Sequence, residues 1–415
     1  MTGKTPNRWT IVFGALLIQL CLGAIYSWSV FVGPLKGAYG FSTTQTQTVF
    51  SVALASFAFV MIFAGRWQDT MGPRRVATAG GLVLGLGYIL ASATGGSFSG
   101  LALTIGVIGG AGIGLGYVCP IAACVKWFPD KRGMVSGLAV AGFGAGAWIF
   151  AKLGQNFIDA HGVLTAFLYL GIIFLIAVVL GAQLLRNPPN GWKPAGWEPP
   201  PQTTRKGGED YTWKEMLTTR QFWMLWLMFI FAASAGLMVI GILKEFGTQK
   251  MQQAGGLSAE AAKKTAVSAV GVLALANGAG RIIWGTLSDR IGRTRAMTAM
   301  FSLQGVMMLY LTNMGATKIS LAIAAAWVGF NFGGNFALFP STTADYFGTK
   351  NVGINYGLIF TAYGIAGILG PILGGKVFDA TGSYQWAFIP AGILCLTAAA
   401  LSLTAKTKPA KNGII

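Results

Sequence analysis

The sequence predicts an all-α membrane protein of twelve transmembrane helices, arranged as two pseudo-symmetric six-helix bundles with both termini cytoplasmic. Three observations predict it. Of 415 residues, 54% are hydrophobic and 10% charged, against roughly 25% charged in soluble proteins. The apolar residues gather into twelve stretches of membrane-spanning length. The second half of the chain also repeats local patterns of the first at an offset close to 220 residues.

A spanning helix needs about 20 mainly apolar residues. Such stretches lie near 9–32, 46–66, 76–94, 101–125, 134–154 and 163–185, then near 220–243, 265–287, 296–314, 319–343, 354–377 and 385–405. The 60 glycines are scattered through these stretches, as in membrane helices that approach closely at small residues. The start, MTGKTPNRW, runs straight into the first stretch without a small-residue cleavage site, so no removable signal peptide is expected.

An even number of spans puts both termini on one side. The net charge of +18 would suit a nucleic-acid binder if it formed a patch, but it is dispersed over the connectors, and nucleic acid is excluded as a partner. The termini and alternate connectors hold 21 of the 30 Lys and Arg, the other connectors hold 8, and Arg281 is left over. The richer side is cytoplasmic. Localisation in the cell (inner) membrane, as a multi-pass monomer embedded in the lipid bilayer, is the expectation.

Residues 186–219 carry six of the fifteen prolines and read as a cytoplasmic linker. It divides an N-terminal bundle, 1–185, from a C-terminal bundle, 220–415. Its last stretch, Tyr211 to Leu217, reads as a short interfacial helix with Trp213 at headgroup level. Cys21, Cys119, Cys124 and Cys395 lie inside apolar runs at spacings that fit neither zinc nor a redox pair, so they are small packing residues.

The repeat is most explicit in GRWQDTMGPRR at 65–75 and GTLSDRIGRTR at 285–295, which share G-x3-D-x2-G-x2-R. WFPDKRGMVSG at 127–137 is echoed by YFGTKNVGINYG at 346–357, and Phe41-Ser42 by Leu257-Ser258. Ser42 with Gln45 fits a capping box. Gly72 and Gly292 permit tight turns. Asp69 with Arg74 and Arg75, and Asp289 with Arg290, Arg293 and Arg295, supply caps and charges on the cytoplasmic face. These loops are a conformational latch that breaks as access alternates, or simply positively charged turns. Two six-helix units joined by a linker are the plan of a transporter with its site between the halves.

Arg281 lies inside the eighth apolar stretch, where a charge costs about 2.5 to 3.5 kcal/mol on insertion scales. Snorkelling to the interface is the alternative to function, but Asp289 is eight residues away, about 12 Å along a helix. Subtracting 220 leads to Met61, so the repeat places an arginine in one half only. A guanidinium accepts a carboxylate in bidentate fashion, and Arg281 is the candidate anchor for one. Asn277, four residues earlier on the same face, orients that guanidinium, donates to a substrate, or serves as a helix-packing amide.

Strings along nearly the whole chain carry a resemblance: YSWSVFVGPL at 26–35, GAGIGLGY at 110–117, KWFPDKRG at 126–133, FGGNFALFPSTTADYFG at 332–348 and NYG at 355–357. With the repeated loops they resemble the major facilitator superfamily, in the branch of the oxalate:formate antiporters and monocarboxylate transporters, and most of all a bacterial lactate/proton symporter. The resemblance implies that Tyr26, Trp28, Tyr117, Phe143, Phe332, Phe336, Phe360 and Tyr363 line a central cavity with Arg281 and Asn277. It also implies departures. Animal relatives resemble D-x3-R where this chain has Asn277-x3-Arg281, and asparagine cannot carry a proton. The oxalate carrier resembles NYG followed by an inward lysine where this chain has Tyr363. One fixed cation suits a monoanion.

The expected function is therefore transport of a small monocarboxylate of the lactate or pyruvate type together with a proton. Carboxylate exchange without a proton and a non-transporting sensor are the rival readings. Lys244, Glu245, Lys376 and Asp379 read as boundary residues at helix ends, with an outer-gate ion pair as the alternative for them. His161 and Asp159 read as solvated loop residues. No catalytic motif or metal-ligand cluster appears, so neither an enzyme nor a cofactor or metal is expected.

Overall fold

The computed structural model describes residues 7–128, 132–189, 194, 211–255, 257–348 and 351–404. Regular structure among these residues is helical throughout. Ten helical segments are long and apolar enough to cross a membrane. Their outward faces are apolar as well. Leu82, Leu86 and Leu90 recur every fourth residue and are all exposed, a stripe that water would not favour and hydrocarbon would.

The first apolar stretch is broken into α1 (Arg8–Gly23), a 3₁₀ turn at Ala24–Ser27 and α2 (Ser29–Tyr39). Pro34 lies inside α2 and has no N–H, so the carbonyl of Val30, four residues earlier, loses its helical partner. Helix α3 (Thr43–Met71) starts under Ser42, which accepts from the Gln45 amide at 3.1 Å, while Gln45 bonds back to the Ser42 amide at 2.9 Å. This capping box contributes about 1 kcal/mol. Helices α4 (Pro73–Ser92), α5 (Phe98–Leu101), α6 (Gly110–Trp127), α7 (Arg132–His161) and α8 (Val163–Leu184) complete the first half, α5 running into α6 through a π-helical segment at Ala102–Gly109.

Helix α9 (Trp213–Leu217) is the short helix predicted before the second half, closed by a Thr212–Glu215 capping box. Tyr211 ties it to the rest: its amide donates to Phe347 O at 3.0 Å, and its carbonyl accepts from Asn351 and Asn355. Then follow α10 (Arg220–Gln253), α11 (Ala259–Ile291), α12 (Arg293–Tyr310), α13 (Lys318–Phe347), α14 (Val352–Thr381) and α15 (Gln385–Thr404). Helices α7 and α12 occupy the places of the fifth and ninth predicted spans but are not among the ten segments. In α12 the reason is visible, since its eighteen residues begin Arg293-Thr294-Arg295.

The repeat survives in three dimensions. Gly72 ends α3 at φ 85° and Gly292 ends α11 at φ 91°, a region that glycine alone enters freely. Ser258 caps α11 as Ser42 caps α3. Across the halves, α3 packs on α14 and α7 packs on α11. The 220-residue offset interchanges these two pairs, so the contact between halves is itself two-fold.

Two sequence expectations change. The long helices outrun the apolar stretches, so Lys244 and Glu245 lie nine and eight residues inside the end of α10 and are not boundary residues. Asp159 is not merely solvated: it sits in the last turn of α7 and pairs with Lys263 of α11 at 2.7 Å.

Candidate functional site

Helices α11 and α13 meet along a seam of glycines. A Cβ on Gly333 would overlap the carbonyl of Asn277, and one on Gly280 would overlap that of Phe330. This close approach sets the polar pair of α11 against the aromatic pair Phe332 and Phe336 of α13.

Arg281 is 7% exposed, and its repeat equivalent, Met61, is 9% exposed. The two positions are equally enclosed, but only one holds a charge. Asn277 Oδ1 accepts from Arg281 Nε at 2.9 Å, which fixes the plane of the guanidinium. Two buried donors remain without a hydrogen-bond partner, Arg281 Nη1 and Asn277 Nδ2. An uncompensated buried cation is among the most costly features a fold can hold. The guanidinium carbon lies 4.3 Å from the ring centre of Phe336 and 6.0 Å from that of Phe143, so cation–π attraction offsets part of that cost.

Around this cation the two halves interlock through rings. Tyr26, presented by the 3₁₀ turn, packs edgewise on Phe143 at 5.0 Å and on Phe332 at 5.7 Å. Tyr117 of α6 packs on Phe143 at 5.5 Å. From α14, Phe360 stacks on Tyr363 at 4.9 Å, and Tyr363 meets Phe336 at 5.6 Å. The Tyr26 and Tyr363 hydroxyls share a hydrogen bond of 2.8 Å that joins the first half to the second.

Nine of the ten residues expected at the cavity are thus brought together. Trp28 is the exception. It stands two residues after Tyr26, and at three residues per 3₁₀ turn it must point elsewhere. Its ring packs against Phe31, Phe50 and Phe167, and its Nε1 donates to Thr46 O at 3.1 Å. It is a packing residue of the first half. Two site residues were not foreseen. Phe57 touches Tyr117, Phe360 and Tyr363, and Phe229 touches Phe336, Phe360 and Tyr363. The same subtraction that leads from Arg281 to Met61 leads from Asn277 to Phe57. Phe229 carries no such signal.

Toward the end of the molecule opposite Arg8 and Thr404, further polar contacts join the halves. Lys244, 3% exposed, donates to the Val30 carbonyl that Pro34 left free, at 3.1 Å. Gln47 donates to Gly241 O at 3.1 Å. Asp379 accepts from the Thr43 and Thr44 amides at 2.9 and 2.8 Å, capping α3 from the other half of the chain. Each contact completes a backbone group that its own helix leaves wanting or shares.

At the other end, Arg293 Nε pairs with Asp345 at 3.0 Å and Arg293 also bonds Ser288, so this arginine joins α11, α12 and α13. Arg74, Arg75 and Arg290 are exposed. The side chains of Asp69 and Asp289 lie outside the described residues, as do residues 195–210 of the linker.

These features define a multi-pass helical membrane protein with an arginine, Arg281, enclosed among rings from two repeated halves. The chain belongs to the major facilitator superfamily: residues 11–259 and 249–414 each match its profile. Among its relatives, the oxalate:formate antiporter of Oxalobacter formigenes is 32% identical, over 97% of this chain and 92% of its own length. Monocarboxylate transporter 13 of Rattus norvegicus is 25% identical, over 95% and 88%. These relatives place it in the monocarboxylate and oxalate branch. The fold is similar to that of a bacterial homolog of the human lysosomal transporter Spinster, at TM-score 0.72, 15% identity and 98% coverage of both chains.

Proposed function

We propose that the protein is a secondary transporter that carries a small monocarboxylate anion, of the lactate or pyruvate type, together with a proton. The observation that carries this is Arg281, buried with Nη1 unpartnered and ringed by phenylalanines. A carboxylate is the acceptor that a lone guanidinium in a low-dielectric site favours most. The phenylalanines suit a short apolar tail.

A transport cycle follows from charge balance. Closing the empty site desolvates an unpaired cation; a bound anion pairs it, and a proton moving with the anion keeps the transfer electroneutral. Access alternates as two six-helix bundles, 1–185 and 220–415, rock about the site, with twelve spans and both termini cytoplasmic. The latch role of Asp69, Arg74 and Arg75, and of Asp289, Arg290 and Arg293, belongs to the same proposal: these loops hold neighbouring helices on the cytoplasmic face. The protein would act as a monomer in the cell membrane.

Exchange of carboxylates without a proton is the second reading. It is favoured by Asn277, which cannot titrate where a proton carrier is expected, and by the likeness to an oxalate:formate antiporter. Uptake of radiolabelled lactate into proteoliposomes separates the two. Accumulation driven by an inward pH gradient supports symport. Stimulation only by oxalate or formate on the opposite side supports exchange, and Arg281→Gln should abolish either.

A further inference from the structure

We propose that the Tyr26–Tyr363 hydroxyl pair reads the oxygen on the second carbon of the substrate, so that the site prefers 2-hydroxy and 2-oxo monocarboxylates to acids of the same length that lack it. This rests on the reading of Arg281 as the carboxylate anchor.

The two hydroxyls hold two O–H hydrogens between them, and their mutual bond of 2.8 Å uses one. One donor and spare lone pairs therefore remain. They remain in an apolar shell, for Tyr26 lies against Phe143 and Phe332, and Tyr363 against Phe336 and Phe360. Both tyrosines are almost fully enclosed.

The hydroxyl pair and the guanidinium share the same two rings. Phe143 contacts Tyr26 and faces Arg281, and Phe336 contacts Tyr363 and faces Arg281. They are two polar islands on one aromatic floor. A ligand whose carboxylate sits on Arg281 Nη1 and whose next carbon bears an oxygen presents two polar ends in the same order. A 2-oxo group can accept the spare hydrogen, and a 2-hydroxyl can accept it and donate in return.

Self-pairing also sets the size of the effect. A site built around isolated donors rejects a ligand lacking the matching oxygen by several orders of magnitude, because buried groups go unpaired. Here the tyrosines fall back on each other, so an acid without the oxygen leaves one hydrogen idle. Its disadvantage should be about tenfold, the worth of one net hydrogen bond. A lysine in place of Tyr363 would have no such fallback and would instead call for a second negative charge.

The test compares L-lactate, pyruvate and propionate as competitors of labelled lactate uptake into proteoliposomes. Wild-type protein should favour lactate and pyruvate over propionate about tenfold. In Tyr363→Phe and in Tyr26→Phe, which remove only an oxygen, that ratio should fall toward one. A ratio unchanged in both variants overturns the proposal, as does a wild-type protein indifferent to the oxygen, or an equal loss of all three acids in both variants. Arg281→Gln is the separate control: if it retains uptake of the three acids, the anchor reading fails, whatever the tyrosine variants show.

Discussion

Helices α3 and α11 are the same device built twice and used once. Each starts under a serine cap, each ends on a glycine of positive φ, and each packs on a helix of the opposite half. Midway they part. Where α11 carries Asn277 and Arg281, α3 carries Phe57 and Met61. The frame repeats because caps, turns and packing are needed in both halves. The chemistry does not repeat; on the proposed function, one monoanion needs one cation, and a second would be left buried and unpaired.

The largest expected effect comes from erasing this difference. Arg281→Met makes the two helices alike, and lactate uptake into proteoliposomes should fall by at least about a hundredfold, the scale of losing a charge-assisted bidentate contact. Adding Met61→Arg to that variant should not restore it. Phe57 stands where Asn277 would orient the new guanidinium, and the cation would enter the opposite half.

A second, smaller effect tests what holds the halves together away from the termini. Lys244→Met leaves the Val30 carbonyl without a partner, which costs about 1 to 3 kcal/mol when buried. Hydrogen–deuterium exchange in residues 28–36 should then rise about tenfold or more, while that of α12 stays unchanged.

Asn277→Asp sharpens the contrast between the helices. An aspartate would pair with Arg281 when ionised and compete with the substrate, then release the cation when protonated. Lactate affinity should therefore be weaker than wild type at high pH and recover as pH falls, a dependence readable from half-saturation constants across pH. Loss of affinity that deepens on acidification would contradict this arrangement. The smallest effect is expected at Trp28, where Trp28→Phe should leave lactate affinity within about twofold. It should lower thermal stability by about 1 kcal/mol, through loss of the hydrogen bond to Thr46.

What the sequence made legible was local or exceptional. Caps at Ser42 and Ser258 and turns at Gly72 and Gly292 depend on a few neighbouring residues, and Arg281 stood out as a charge in an apolar run. Lys244 did not, because it lies at the edge of its own run, 220–243, and hydropathy ends that helix ten residues early. Its burial depends on Val30, more than two hundred positions away, and on the proline that frees the carbonyl. Trp28 misled for a geometrical reason: resemblance assigns it with Tyr26, but the tight 3₁₀ turn sends their side chains in different directions. Phe57 is within reach of the repeat arithmetic, since it stands 220 residues before Asn277.

The Lys244–Val30 contact, with the Asp379 cap on α3, bears on how this end of the molecule can part. The first half is not complete alone, since it holds a carbonyl and two amides that side chains of the second half satisfy. Separating the halves in an apolar setting would take an acceptor from Lys244, which keeps only Glu245 beside it, and two donors from Asp379, and would strand a carbonyl and two amides at once. Only water can take over all five, so hydration and separation must arrive as a single event. Half-open and dry is not a resting place for this protein.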